Sequence, residues 1–208
     1  MNPHGTKNQV SRFDRAADVF RENGGILRTA QALRAGIHPA TLYAMRDSGV
    51  LERVSRGVYR LADGLPLSNP DLVTVATRAP GAVICLISAL AFHELTTEIP
   101  HEVHVALRRG AEEPRINQPP MKTYRFTGKA FTAGVEIHEI DGVNVRIYSP
   151  EKTLADCFKF RNKVGLDTAM EALRFYRERR SVKVDDLMRY AGICRVKKII
   201  RPYLEAIL

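Results

Sequence analysis

The stretch RAGIHPATLYAMRDSGVLERVSRGVYRL, residues 34–61, decides the fold of the N-terminal part of the chain. Pro39 suits the first turn of a helix, where its missing N–H would have no partner anyway, and Ser48-Gly49 supplies a stop. Leu42 and Met45, three residues apart, give that helix one apolar face, and Ile37 adds a third apolar pin ahead of it. Gly36 is placed for a tight turn, and Ala32 for close contact with the preceding short helix AQALRA. Together these form the spacing of a helix-turn-helix. The other face of the helix then carries His38, Ala40, Thr41, Tyr43, Ala44 and Arg46.

That face has the composition of a DNA reader. In a helix-turn-helix the N-terminal half of the second helix enters the major groove. Small residues such as Ala40 and Ala44 permit close approach, and alanine or threonine methyls can touch thymine methyls. Arg46 can reach either a phosphate or a guanine. After the helix, VLERV and GVYRLA are β-rich runs separated by Ser55-Arg56, with Gly57 available for a positive φ. Arg53, Arg56 and Arg60 bracket this hairpin, and Ser55 can donate to a phosphate oxygen. A wing of this kind positions a protein on the backbone and makes binding salt-dependent. The competing reading is a three-helix-plus-hairpin module that binds protein or RNA and uses the same elements as a scaffold.

Upstream, RFDRAADVFRENG (12–24) has Phe13, Ala16, Ala17 and Phe20 at helical spacing and ends at Gly24-Gly25. Downstream, DGLPLSNP (63–70) concentrates turn residues and marks a domain boundary. The expected domains are therefore residues 1–65 and 66–208, in an α+β chain. The second part alternates strands (102–108, 122–128, 135–140 and 143–148) with helices, which predicts a small, mainly antiparallel sheet followed by several helices. Asp141-Gly142 is a strong hairpin turn. Ser149 and Pro150 open a helix as N-cap and first residue, and Glu151 favours the positive end of its dipole.

Composition is ordinary for a globular protein, with 45% hydrophobic and 26% charged residues among 208. The net charge of +9 favours an anionic partner such as nucleic acid. Residues 1–65 carry 10 Lys+Arg against 6 Asp+Glu, residues 66–150 carry 8 against 9, and residues 151–208 carry 14 against 8. The surplus therefore sits at the two ends. No apolar run reaches the length of a membrane span, and residues 1–15 lack the apolar core of a signal peptide, so a cytoplasmic protein with no membrane partner is expected. Cys85, Cys157 and Cys194 are far apart and lack metal-ligand spacing, which predicts buried free thiols.

Three further groups of residues bear on function. His93, His101 and His104, with Glu94 and Glu102 nearby, are spaced wrongly for a metal site, since residues three apart on a strand face opposite ways. Glu151, Lys152 and Asp156 resemble a nuclease set in kind, but Glu151 and Lys152 point about 100° apart around a helix, and capping explains them better. No catalytic residue, metal or cofactor is expected. Arg179, Arg180, Lys197 and Lys198 form a candidate second basic surface for nucleic acid, against the simpler reading of solvated helix faces. Phe175, Tyr176, Tyr190 and Tyr203 follow helical spacing, as core aromatics do.

Three segments, SGVLERVSRGVYRL, NPDLVTVATRAPGAVICLISALAFHEL and RIYSPEKTLADCFKFRNKVGLDTAMEAL, resemble the AbiEi-type antitoxins, the regulators of bacterial type IV toxin–antitoxin systems. The resemblance runs from about residue 14 to 180. It implies an N-terminal winged helix, with its recognition helix at 39–48 and its wing at 53–60, that binds inverted repeats in its own promoter and represses it. It also implies a C-terminal antitoxin domain opposing a nucleotidyltransferase-like toxin without a stable complex. The expected state is a monomer in solution or a cooperative pair on DNA. The alternative is a stand-alone regulator, or a protein- or RNA-binding module, without antitoxin activity.

Overall fold

The computed structural model describes residues 3–64 and 66–207; Met1, Asn2, Leu65 and Leu208, at the ends of the expected domain ranges, lie outside the described residues. The elements in order are α1 (Pro3–Glu22), β1 (Ile26–Arg28), α2 (Thr29–Arg34), α3 (Pro39–Asp47), β2 (Leu51–Ser55), β3 (Val58–Leu61), α4 (Pro70–Arg78), β4 (Val83–Ile84), α5 (Leu86–Phe92), β5 (Val103–Arg108), β6 (Met121–Phe126), α6 (Lys129–Thr132), β7 (Val135–Ile140), β8 (Val143–Tyr148), α7 (Pro150–Lys159), α8 (Arg161–Val164), α9 (Leu166–Arg177), α10 (Val184–Ile193) and α11 (Lys197–Ile207). The α+β class is thus observed. Among the described residues, no helix is long and apolar enough to cross a membrane.

The chain forms two compact units, residues 1–77 with 139–144, and residues 78–138 with 145–208. Residues 66–77 therefore cluster with the N-terminal unit, beyond the boundary the turn-rich segment suggested. A long-range contact explains part of this: the Asp141 carboxylate accepts from Ser68 N at 2.9 Å and from Ser68 Oγ at 3.1 Å.

In the first unit, β1, β3 and β2 form an antiparallel sheet with β3 central. Ala16, Ala17 and Phe20 of α1, Ala32 of α2, Ile37, and Leu42 and Met45 of α3 pack into one core with Leu27, Leu51, Tyr59 and Leu61. α1 is longer than the sequence pattern indicated and stops at Gly24-Gly25, both with φ near +79°. Gly36 takes φ +90°, a conformation that costs other residues free energy, and this lets α2 turn into α3.

In the second unit the strand order is β6-β5-β4-β8-β7. β4 pairs antiparallel with β5, whereas β5–β6 and β4–β8 are parallel. This sheet is therefore mixed rather than mainly antiparallel. Between β5 and β6 the chain has residues 109–120 in which to return before running forward again, so no hairpin is imposed there. β7 and β8 are joined by Asp141 and Gly142, both at positive φ (+50° and +76°), as a two-residue hairpin turn demands.

Helix α7 lies at the centre of this unit's core, and every side chain from Glu151 to Phe158 is buried. Its start follows the expected capping: the Ser149 side chain accepts from Lys152 N at 3.3 Å, and Pro150 occupies the first turn. Tyr176 and Tyr190 are buried, Phe175 and Tyr203 pack against the same core, and the three cysteines are buried free thiols.

His104, on β5, is 4% exposed, and burial pushes its pKa down to about 4 even though Glu102 lies 3.6 Å away. Its unfolded counterpart binds a proton below about pH 6.5. Between pH 6.5 and 4 the unfolded chain thus holds more protons than the folded one, so stability falls as the pH falls through that window. The loss attributable to this residue is on the order of 2–3 kcal/mol. Urea unfolding at a series of pH values should show that decline, and His104→Leu should flatten it. An unchanged pH profile in the variant would refute the assignment.

Candidate nucleic-acid interface

Helix α3 begins at its N-cap His38, whose Nδ1 accepts from Ala40 N at 3.2 Å. This satisfies one of the amide donors that a helix start leaves open. Leu42 and Met45 are completely buried, and Ile37 is 5% exposed. Burial of these three fixes which face turns outward: His38, Ala40 and Tyr43 are exposed, and Ala44 and Arg46 partly so. Thr41 departs from expectation, since at 8% exposure it faces the core with Leu42. One helical turn from Met45, it lies nearer the inner stripe than the outer one.

Arg46 is held on the helix surface. Its Nη2 lies 2.6 Å from Asp47 Oδ1, its Nε donates to the same oxygen, and its guanidinium sits 5.1 Å from the Tyr43 ring centroid. The bond to Asp47 raises the pKa of this arginine further. A phosphate or base edge approaching Arg46 must therefore share or displace Asp47.

The hairpin divides its polar residues unequally. Arg53 and Arg56 are exposed, Arg56 in the turn itself. Arg60 is more enclosed and pairs with Glu52, directly opposite on β2, at 2.7 Å. Ser55 also departs from expectation, because its Oγ is shielded from solvent and has no hydrogen-bond partner among the described residues. The β2–β3 register shifts between Arg53 and Ser55, an irregularity of the kind that re-aims a side chain.

The structure separates the other candidates. Arg179 and Arg180 are exposed just beyond α9, and Lys197 and Lys198 are exposed at the start of α11. Val196, Ile200 and Leu204 form the buried stripe of that last helical segment. Glu151 is buried and accepts from Tyr176 Oη at 2.8 Å, while Lys152 and Asp156 pair with each other in the core. All three side chains are thus buried and paired inside the core of the second unit.

His93 meets neither His101 nor His104, in keeping with their unfavourable spacing. His101 is exposed and His104 buried beside Glu102, whereas His93 lies beside Glu136 and His138. The signal available in the sequence was VEIHEI, where Glu136 and His138 alternate onto one face of a strand. Their distance along the chain from His93 concealed the third member.

Comparison with known proteins adds two findings. Residues 14–62 match the family described as transcriptional regulator, AbiEi antitoxin. The crystal structure of the RV2827C protein from Mycobacterium tuberculosis is similar over 95% of this chain and 81% of that one, with a TM-score of 0.56 and 12% sequence identity, a likeness of fold alone. Comparison with curated proteins gives no significant match. Across the segment that holds α3 and the hairpin, this chain is similar to the AbiEi antitoxin transcriptional regulators, and the resemblance read from its sequence is borne out there.

Proposed function

We propose that the N-terminal unit is a winged helix that binds double-stranded DNA in the protein's own promoter and represses transcription. In this reading the protein is the antitoxin of a type IV toxin–antitoxin system. α3 enters the major groove, with His38, Ala40, Tyr43, Ala44 and Arg46 toward the bases, while Arg53 and Arg56 hold the backbone. The observation that carries the reading is the partition of α3, with Leu42 and Met45 fully buried and Ala40 and Tyr43 exposed, inside the matched segment. The order α1-β1-α2-α3-β2-β3 around an antiparallel β1-β3-β2 sheet supports it, since a winged helix uses that arrangement. The second unit, residues 78–138 with 145–208, is proposed to oppose a nucleotidyltransferase-like toxin without a stable complex.

The internal pairs narrow the roles. Arg56 reaches the backbone directly, Arg46 acts after exchanging Asp47 for a DNA group, and Arg60 chiefly braces the hairpin against Glu52. The same pairs favour a second reading, a protein- or RNA-binding module whose arginines stabilise a scaffold. A gel-shift titration with the DNA upstream of the gene separates the two. Specific retardation at moderate salt is expected, weakened about tenfold or more in Arg46→Ala/Arg56→Ala. The salt slope should fall by about one unit for each phosphate that the variant no longer neutralises. Equal binding by the double variant would refute the DNA-reading role of these residues.

A further inference from the structure

The end of α5 and the outer strand β7 bring two imidazoles and a carboxylate together in the second unit. His93 caps the C-terminus of α5, and Glu136 and His138 lie two residues apart on β7. One ligand atom from each of the three lies within 4.8 Å of the others. Glu136 Oε2 and His138 Nε2 are 3.1 Å apart. In a tetrahedral zinc site, bonds of about 2.0–2.1 Å set neighbouring ligand atoms about 3.3 Å apart. One edge of the triangle is therefore already at metal-bound length, and the other two close by modest side-chain rotation. Glu136 is exposed, so its carboxylate can make that movement.

Backbone and ring contacts orient the two imidazoles. His93 Nε2 lies 2.8 Å from the Tyr148 carbonyl oxygen, which can only accept, so the ring donates to it. A backbone carbonyl in that position is the usual orienting partner of a metal-binding histidine. Phe92 packs edge-on against both rings, with centroids 5.2 Å from His93 and 4.9 Å from His138. The cluster opens onto a pocket of about 630 Å³ that also has Glu151, Arg179, Arg180 and Lys183 in its walls.

We propose that His93, Glu136 and His138 bind a divalent transition-metal ion of the zinc class, with three protein ligands and a remaining position open to the pocket. Two histidines and one carboxylate are a donor set suited to such ions, and an open fourth position distinguishes this site from a closed structural one. Water or an anionic ligand drawn by Arg179, Arg180 and Lys183 would complete the coordination. The site is independent of α3 and the hairpin, so it stands or falls separately from DNA binding.

Calorimetric titration of untagged, full-length, chelator-stripped protein with Zn²⁺ tests this. One equivalent is expected to bind, and both His138→Ala and Glu136→Gln should weaken binding at least about tenfold. Glu136→Gln keeps the shape of an exposed side chain, so its loss of affinity cannot come from misfolding. Co²⁺ in place of Zn²⁺ should give ligand-field absorption without a thiolate charge-transfer band, because Cys85, Cys157 and Cys194 are not ligands. No stoichiometric uptake by the parent protein, wild-type affinity in Glu136→Gln, or a thiolate band would overturn the proposal.

Discussion

Asp156→Ala is expected to destabilise the C-terminal unit by about 3–5 kcal/mol, the cost of leaving a buried charge without its partner. Lys152 and Asp156 stand one turn apart on α7, their side chains are wholly shielded from solvent, and they form a direct ion pair. Asp156 also accepts from Cys194 Sγ at 3.1 Å, and the Lys152 ammonium lies 4.1 Å from the Tyr148 ring centroid and 5.0 Å from that of Phe126. Burial pushes the Asp156 carboxyl upward against the opposing pull of Lys152. Burial likewise pushes the Cys194 thiol up to about 12 and the Cys85 and Cys157 thiols well above their ordinary value, so all three stay neutral beside the pair. The backbone crowds the pair as well, since a Cβ on Gly134 would come within 2.6 Å of Lys152 Cβ.

Removing both charges together should behave differently. Lys152→Met/Asp156→Leu replaces the pair with apolar groups of similar bulk, a change that is often neutral or stabilising. Urea unfolding of the parent, Asp156→Ala and the double variant measures both effects. A destabilisation below about 1 kcal/mol in Asp156→Ala would contradict the description of α7 as a core helix organised around this pair.

The sequence made some of this legible and not the rest, for identifiable reasons. α3 was readable because its signals are local: Pro39 at the start, Gly49 at the stop, and Leu42 and Met45 between. Ser149-Pro150 and Asp141-Gly142 were readable for the same reason, because a cap and a two-residue turn are fixed by adjacent residues. The inward placement of Thr41 and of Ser55 Oγ was not, since each depends on a fraction of a helical turn or on a local register shift. β4, only two residues long, shows no alternation to read. The parallel pairing of β5 with β6 depends on where a twelve-residue connection travels, which composition does not encode. Likewise Cys194 reaches Asp156, and His93 reaches His138, only because the fold brings distant segments together.

Ala40→Glu is expected to weaken DNA binding about 100-fold without loss of stability. Ala40 is exposed in the first turn of α3, where the proposed complex brings phosphates and base edges closest. A carboxylate there meets the negative duplex directly, and like-charge juxtaposition at an interface costs several kcal/mol. The same carboxylate is favourable in the free protein, because it sits at the positive end of the α3 dipole. Binding and folding should therefore respond in opposite directions, which separates a damaged reading face from a damaged domain.

In the proposed complex α3, rather than the basic C-terminal helices, reads the nucleic acid. Fluorescence anisotropy with labelled promoter duplex, run on Ala40→Glu and on a variant with Arg179, Arg180, Lys197 and Lys198 all changed to glutamine, separates the two surfaces. Ala40→Glu is expected to lose specific binding while the glutamine variant keeps it. Retained binding in Ala40→Glu together with abolished binding in the glutamine variant would contradict that role for α3.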